Sequence, residues 1–164
     1  MSDQIGVRAM EPDDFNAVAD LMNQPKVIAG TLRLPLASLE EYRKRLEASR
    51  EERTSIVAEK AGRVSGVANL ARAKGRRAHV ASMAVAVHDE FQRQGVGSAL
   101  IAALINLADN WLNLKRLELS VYTDNEPAVR LYRKYGFVME GTHRADTYRD
   151  GRFVDVFSMG RVRE

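Results

Sequence analysis

No cysteine occurs anywhere in the 164 residues, which removes disulfide scaffolds, thiolate-bound metals and cysteine nucleophiles from consideration. Long apolar runs are missing too. The longest, Ala99 to Ile105, falls far short of the ~18–20 residues that a membrane-spanning helix needs. The N-terminus lacks the charged start and apolar stretch of a secretion signal. Charge of one sign is also scarce: 25 Lys and Arg stand against 22 Asp and Glu, a net +3, with the signs mixed along most of the chain. The densest basic cluster, Arg72, Lys74, Arg76 and Arg77, falls in a hairpin loop with Gly75 and has no interleaved aromatics. It reads first as a solvated turn and second as a patch for an anion, and nucleic acid is not needed to explain it. The expectation is a soluble, cytoplasmic protein with no membrane and no nucleic-acid partner. What remains is ordinary: 45% hydrophobic and 29% charged residues are enough to bury a core within one domain spanning residues 1–164.

Residues 4–10 read as a strand, and Glu11-Pro12-Asp13-Asp14 as a helix start with acids set against the helix dipole. That helix is predicted to reach Asn23. Residues 24–37 hold two prolines, Gly30 and the apolar string Val27 to Leu36, with no helix signal until the capping box Ser38-Leu39-Glu40-Glu41 opens a charged helix to about Glu51. Strands over 54–60 and 64–73 meet at the hairpin signal Ala61-Gly62-Arg63, and a third runs from about Ala78 to Val87. A helix over 97–112, a strand over 115–122 and a helix over 127–135 that stops at Gly136 follow. Strands over 137–147 and 152–162 flank the turn Arg149-Asp150-Gly151-Arg152. The order β-α-α-β-β-β-α-β-α-β-β is an α/β fold with a mixed sheet, whose single crossover places the strands near 83 and 119 parallel and adjacent.

The most informative stretch runs from Val85 to Ser98, a buried-type strand feeding the loop Gln92-Arg93-Gln94-Gly95-Val96-Gly97-Ser98 into a helix. Two glycines let several amide N–H groups converge without β-carbons in the way, and the helix start adds free N–H groups and a positive dipole end. The chemistry is that of a pyrophosphate cradle. The loop is neither a P-loop, since no Gly-Lys-Ser/Thr closes it, nor the Gly-x-Gly-x-x-Gly dinucleotide fingerprint.

Two motifs give the loop its context. Gln92-x-x-Gly95-x-Gly97 and Asn125-x-x-Ala128-x-x-x-Tyr132-x-x-x-Gly136-Phe137 stand in order on the chain. In both, and in element order over residues 4–162, the sequence resembles the GNAT superfamily of N-acetyltransferases. The resemblance implies acetyl-CoA as co-substrate, with Val85 and Val87 pairing their backbone to the pantetheine arm as an added strand does. It implies that Gln92, Arg93, Gln94, Gly95, Val96, Gly97 and Ser98 wrap the pyrophosphate and that Asn125 meets the arm from the other side. It also implies that the fourth and fifth strands splay apart and that Tyr132 protonates the departing thiolate. A phenol with pKa near ~10 can donate to a thiolate near ~8.5 at neutral pH. Without the resemblance, Tyr132 reads first as a core aromatic, and Asn125 reads also as a helix start, a role compatible with cofactor contact.

Direct attack by an amine requires it to be neutral, through a tetrahedral intermediate whose oxyanion is held by backbone N–H. An α-amine with pKa ~7.7–8.0 is about a tenth neutral at pH 7, whereas a lysine amine at ~10.4 is almost wholly charged. The candidate bases are His79, at the entrance of the fourth strand, and Glu118, on the fifth; His88 and His143 are placed less favourably. The histidines show no metal-ligand spacing, so no metal is expected. The lack of a conspicuous base favours α-amines.

Further strings, Gly30-Thr31-Leu32-x-x-Pro35, Arg77-Ala78-His79-Val80-Ala81 and Asp124-Asn125-x-Pro127-Ala128 among them, resemble a bacterial L-amino-acid N-acetyltransferase subgroup acting on hydrophobic amino acids. That resemblance implies an acceptor wall from Val27 to Leu36, with Leu32 and Leu34 as apolar contacts and Arg33 as a carboxylate clamp. The chain departs from the subgroup at Ser82, where an aspartate is expected. A small-molecule amine acceptor is therefore the first reading; a protein N-terminal or lysine acetyltransferase and a non-catalytic acyl-CoA sensor are the alternatives. The apolar residues of the last hairpin offer a face for a homodimer.

Overall fold

The computed structural model describes residues 3–164. Its elements are β1 (Gly6–Ala9), α1 (Phe15–Met22), α2 (Pro25–Gly30), α3 (Leu39–Ala48), β2 (Arg53–Lys60), β3 (Arg63–Arg72), β4 (Val80–Val87), α4 (Val96–Asn110), β5 (Arg116–Tyr122), α5 (Glu126–Lys134), β6 (Val138–Arg149) and β7 (Arg152–Val162). The predicted order is present with one extra helix. α2 occupies a stretch read as lacking helix signals; Pro25 serves as its first residue, where a missing N–H costs nothing, and six residues are too few to show a periodic pattern. β4 begins at Val80, two residues later than expected, because Gly75–Arg77 forms a 3-10 turn instead. α1 likewise begins only at Phe15, after a 3-10 turn over Pro12–Asp14, and α3 ends at Ala48. The Ser38 capping box forms as read, with Ser38 Oγ accepting from the Glu41 N–H at 3.0 Å.

The seven strands lie in the order β1-β2-β3-β4-β5-β7-β6. Every neighbouring pair is antiparallel except β4 and β5, which are parallel, as the crossover rule requires. Both hairpin turns place two residues in the left-handed region, Ala61 and Gly62 in one and Asp150 and Gly151 in the other.

Helices cover both faces. On one, Leu100, Ile101 and Leu104 of α4 are fully buried against Ala58, Ala68, Leu70, Met83, Leu117 and Leu119. Each such side chain stabilises the fold by about 1.5–3 kcal/mol relative to exposure. Gly66 makes this approach close: a β-carbon there would lie 2.7 Å from both Leu100 Cδ1 and Val96 Cγ1. On the other face Val18 and Leu21 of α1 and Val27 of α2 pack on Val57 and Val67. No helix among the described residues is long and apolar enough to cross a membrane.

Candidate acetyl-transfer site

β4 and β5 pair over only three positions, Val80 with Arg116, Ala81 with Leu117 and Ser82 with Glu118. Beyond Ser82 the two strands part. β4 keeps its β3 partner as far as Val87, and β5 keeps β7 as far as Tyr122, so the separation leaves a gap inside the sheet. The direction of the free groups follows from the ladder. His88 N–H donates to Ser65 O and Ala73 N–H to Val80 O, both at 2.9 Å, so even-numbered positions of this segment bond to β3. Alternation then turns the backbone N–H and C=O of the odd positions, Val85 and Val87 among them, toward the gap.

The gap ends at a rigid loop. His88 Nδ1 accepts the Glu90 N–H at 3.1 Å, which makes this nitrogen the unprotonated one. Arg93 and Gly95 both hold left-handed backbone, at φ 61° and 87°. The first bond within α4 runs from Ala99 N–H to Gly95 O at 3.0 Å, so the N–H groups of Val96, Gly97 and Ser98 have no partner inside the helix. They coincide with the positive end of a 15-residue helix dipole. The need for glycine at position 95 is conformational: a β-carbon would meet only Ile5 Cδ1, at 3.6 Å, without filling the cradle. At Gly97 a β-carbon would press Leu131 Cδ2 at 3.2 Å. The Val96 side chain is buried in the core, and the Gln94 side chain turns outward to Lys60, so each presents only its backbone on the loop's inner side.

Asn125 caps α5, its Oδ1 accepting from Ala128 N–H at 3.4 Å. Its Nδ2 lies toward Gly30, where an added β-carbon would stand 3.8 Å away. Capping thus uses the amide oxygen and not the amide nitrogen. Tyr132 belongs to the buried cluster that includes Met83, Leu119 and Val121, the residues flanking the gap, and meets Phe137 edge-on at 5.8 Å. Burial pushes its phenol up to about 12. Its hydroxyl has no hydrogen-bond partner among the described residues.

An open cavity of about 850 Å³ adjoins the gap. It is walled by α2 and the segment after it, by Tyr122, Asp124 and Asn125, and by the β6–β7 turn, with Gln92 at its side. Leu32 and Leu34 line it and are exposed, at 78% and 80%. Arg33 lines it too, but folds inward with its guanidinium 4.1 Å from the Tyr42 ring centroid and Nη2 donating to Asn23 Oδ1 at 3.3 Å. Its Nε and Nη1 are shielded from water and unpartnered. Such unspent donors are rare in folded proteins and call for a ligand or a strained role.

His79 and Glu118 are not brought to this cavity. His79 precedes β4, at the end far from the glycine loop, and its carbonyl accepts from Lys115 and Arg116 N–H. Glu118 accepts from Arg77 and Arg116, each at 3.1 Å, so both of its oxygens are engaged. Among the described residues no cluster of three His, Cys, Asp or Glu is placed to hold a metal ion.

Two residues of the cavity carried no signal in the sequence. Arg149 reaches from the end of β6 to both oxygens of Asp124 and, at 3.1 Å, to the carbonyl of Ala29, and stacks 4.7 Å from the Tyr122 ring centroid. Tyr122 donates its hydroxyl to Thr31 O at 2.9 Å. Together they latch α2 and the segment after it to the sheet. The Arg149 guanidinium holds the Asp124 carboxyl below the usual carboxylate range.

Comparison with known proteins agrees with the fold. A family model described as Acetyltransferase (GNAT) family matches residues 16–137. The chain is 37% identical to the L-amino acid N-acetyltransferase AaaT of Escherichia coli K12, over 98% of this chain and 99% of that protein. It is 27% identical to a spermidine N(1)-acetyltransferase of Vibrio cholerae, over 97% and 93% of the two chains. The crystal structure of spermidine N-acetyltransferase from Vibrio cholerae in complex with CoA and spermine superposes with a TM-score of 0.87 at 25% identity, covering 98% of this chain and 96% of that one.

Proposed function

Because this chain belongs to the GNAT acetyltransferase family, we propose that it moves the acetyl group of acetyl-CoA directly onto the primary amine of an L-amino acid with an apolar side chain, or a close analogue. One observation carries the reading: Gln92 of the glycine loop, Asn125 of the α5 cap and the wall from Leu32 to Leu34 line a single cavity. The co-substrate side and the acceptor side therefore meet in one space.

The residues present fit acetyl-CoA. An unpaired strand edge at Val85 and Val87 suits an amide-bearing arm, and the free N–H groups of Val96, Gly97 and Ser98 suit a diphosphate. Bound there, acetyl-CoA supplies a thioester carbonyl that a neutral amine can attack. Backbone N–H groups on the odd positions of β4 orient that carbonyl and stabilise charge on its oxygen. Tyr132 keeps its proton throughout the physiological range and gives a hydrogen bond to the departing sulfur. With its phenol near 12 and a thiol near ~8.5, this support is hydrogen bonding more than full proton transfer.

The acceptor class follows from charge. Lys26, Arg33, Arg149 and Arg152 line the cavity against Asp124 and Asp150. This cation excess suits an acceptor that carries a carboxylate beside its amine and opposes a polyamine. Leu32 and Leu34 offer an apolar side chain its contact, and Arg33, folded against Tyr42, contributes its charge behind the wall rather than a direct clamp. No carboxylate or histidine from the candidate pair reaches the cavity, and an α-amine, about a tenth neutral at pH 7, needs the least help in losing its proton.

Thiol release from acetyl-CoA with L-phenylalanine, L-methionine, spermidine and a peptide with a free N-terminus tests the reading. Turnover with the two amino acids is expected. Turnover confined to spermidine or the peptide overturns the acceptor class, and CoA binding without thiol release from any amine overturns the enzymatic reading.

A further inference from the structure

The glycine loop is gripped from outside by a hairpin that takes no part in the site. Lys60 and Arg63 are the last cross-strand pair of β2 and β3, directly opposite each other across the two-residue turn at Ala61 and Gly62. Directly paired residues project on the same face. From there Lys60 Nζ donates to Gln94 Oε1 at 2.8 Å, and Arg63 Nη1 meets Glu90 Oε2 at 2.7 Å. Gln94 Nε2 closes the circuit by donating to Glu90 O at 3.0 Å. Arg63 also lies over the Phe91 ring, 5.1 Å from its centroid.

Lys60 is unusual for a lysine. Its side chain is only 12% exposed, and the nearest carboxylate, on the fully solvated Asp3, stands 3.8 Å away. Its stem is largely covered by the protein, and its ammonium is directed to a neutral glutamine amide at 2.8 Å, closer than any carboxylate. What it secures lies between Glu90 and Gly95, where Arg93 and Gly95 hold left-handed backbone that a loose loop would not keep.

We propose that Lys60, acting through Gln94, is a positioning residue that preorganises the glycine loop for the diphosphate of CoA, with Arg63 and Glu90 as the second arm of the grip. The inference rests on the assignment of that loop to CoA. Preorganisation appears in affinity for the ligand that uses the loop and leaves the chemical step alone.

The test is a double-mutant cycle read by calorimetric CoA binding. Lys60→Met and Gln94→Leu should each weaken CoA by about tenfold, the scale of one charge-assisted hydrogen bond, and the double variant should be no weaker than either single one. Lys60→Arg should recover most of the loss. For Lys60→Met, the KM for acetyl-CoA should rise while kcat at saturation and the acceptor KM stay unchanged. Unaltered CoA affinity in both single variants overturns the proposal. Losses that multiply in the double variant overturn it too, since Lys60 would then be touching the ligand itself. Failure of the wild-type chain to bind CoA would instead defeat the assignment of the loop, a result distinct from either.

Discussion

The two halves of the proposed site are built in opposite ways. The co-substrate half is backbone: the edge of β4, the left-handed loop and the start of α4, seated on a core in which Leu100, Ile101 and Leu104 are fully buried. The acceptor half is side chain: a six-residue helix and a segment with Leu32, Leu34 and Leu36 exposed, tied down by Arg149 and Tyr122. A backbone site recognises what every substrate pair shares, and packing makes it hard to alter. A side-chain site on a lightly fastened wall can change its acceptor by substitution without disturbing the fold.

The sharpest way to break this contrast is at the loop. Gly95→Val forces a β-branched residue to φ 87°, and the apparent KM for acetyl-CoA should rise by about a hundredfold or more, with the acceptor KM far less affected. Steady-state kinetics with each substrate varied in turn would show it, and an unchanged acetyl-CoA KM would remove the diphosphate from this loop. Next comes Tyr132→Phe. It should lower kcat by roughly ten- to a hundredfold while calorimetric CoA affinity holds, and it should not destabilise the fold, because the hydroxyl it deletes makes no hydrogen bond among the described residues.

Arg149→Met acts on the other half alone. Loss of its bonds to Asp124 and Ala29 should raise the acceptor KM by about five- to tenfold and leave that for acetyl-CoA within about twofold. The pH dependence of this latch has a definite sign. Because the Asp124 carboxyl is lowered in the folded chain, the latch is fully present above the unfolded value near ~3.9 and is lost as pH falls through the lower folded value. Between pH 5 and 9 the acceptor KM should show no inflection from it.

The smallest effect is expected at Glu118→Gln. With two arginines already on its carboxylate, kcat/KM should change by less than about threefold, and the profile should still rise with pH toward the amine's own pKa near ~8. A hundredfold loss that flattens this rise would reinstate Glu118 as the base.

The same contrast explains what was legible in the sequence. Gly95, Gly97, Asn125 and Tyr132 stand at fixed spacings because a loop, a cap and a helix turn impose them, so these elements could be read from one chain. The stretch from Val27 to Leu36 was legible as a wall, and Ile28 to Pro35 do line the cavity, but the elements that build and fasten it were not legible. α2 is too short to show periodicity, and the bond from Arg149 to Asp124 joins positions 25 apart that no local pattern relates. The insertion of β7 between β5 and β6 was equally invisible, since consecutive strands satisfy a hairpin on either side. The subgroup resemblance implies Arg33 as a carboxylate clamp, whereas in the structure it folds against Tyr42, where a stacking partner outweighs hydration.

The parting of β4 and β5 after three pairs has a consequence for the life of the chain. An interior edge with unspent amides is a weakness in any sheet, exposed to water and available to a foreign strand. A ligand that binds only the folded state raises its stability by RT ln(1 + [L]/Kd), so the melting point should climb with CoA concentration. The amides of Val85 and Val87 should pass from rapid to slow hydrogen exchange as it does. The abundance and protease resistance of the protein would then follow the acyl-CoA supply of its surroundings, with turnover of the polypeptide itself reporting on the metabolite it consumes.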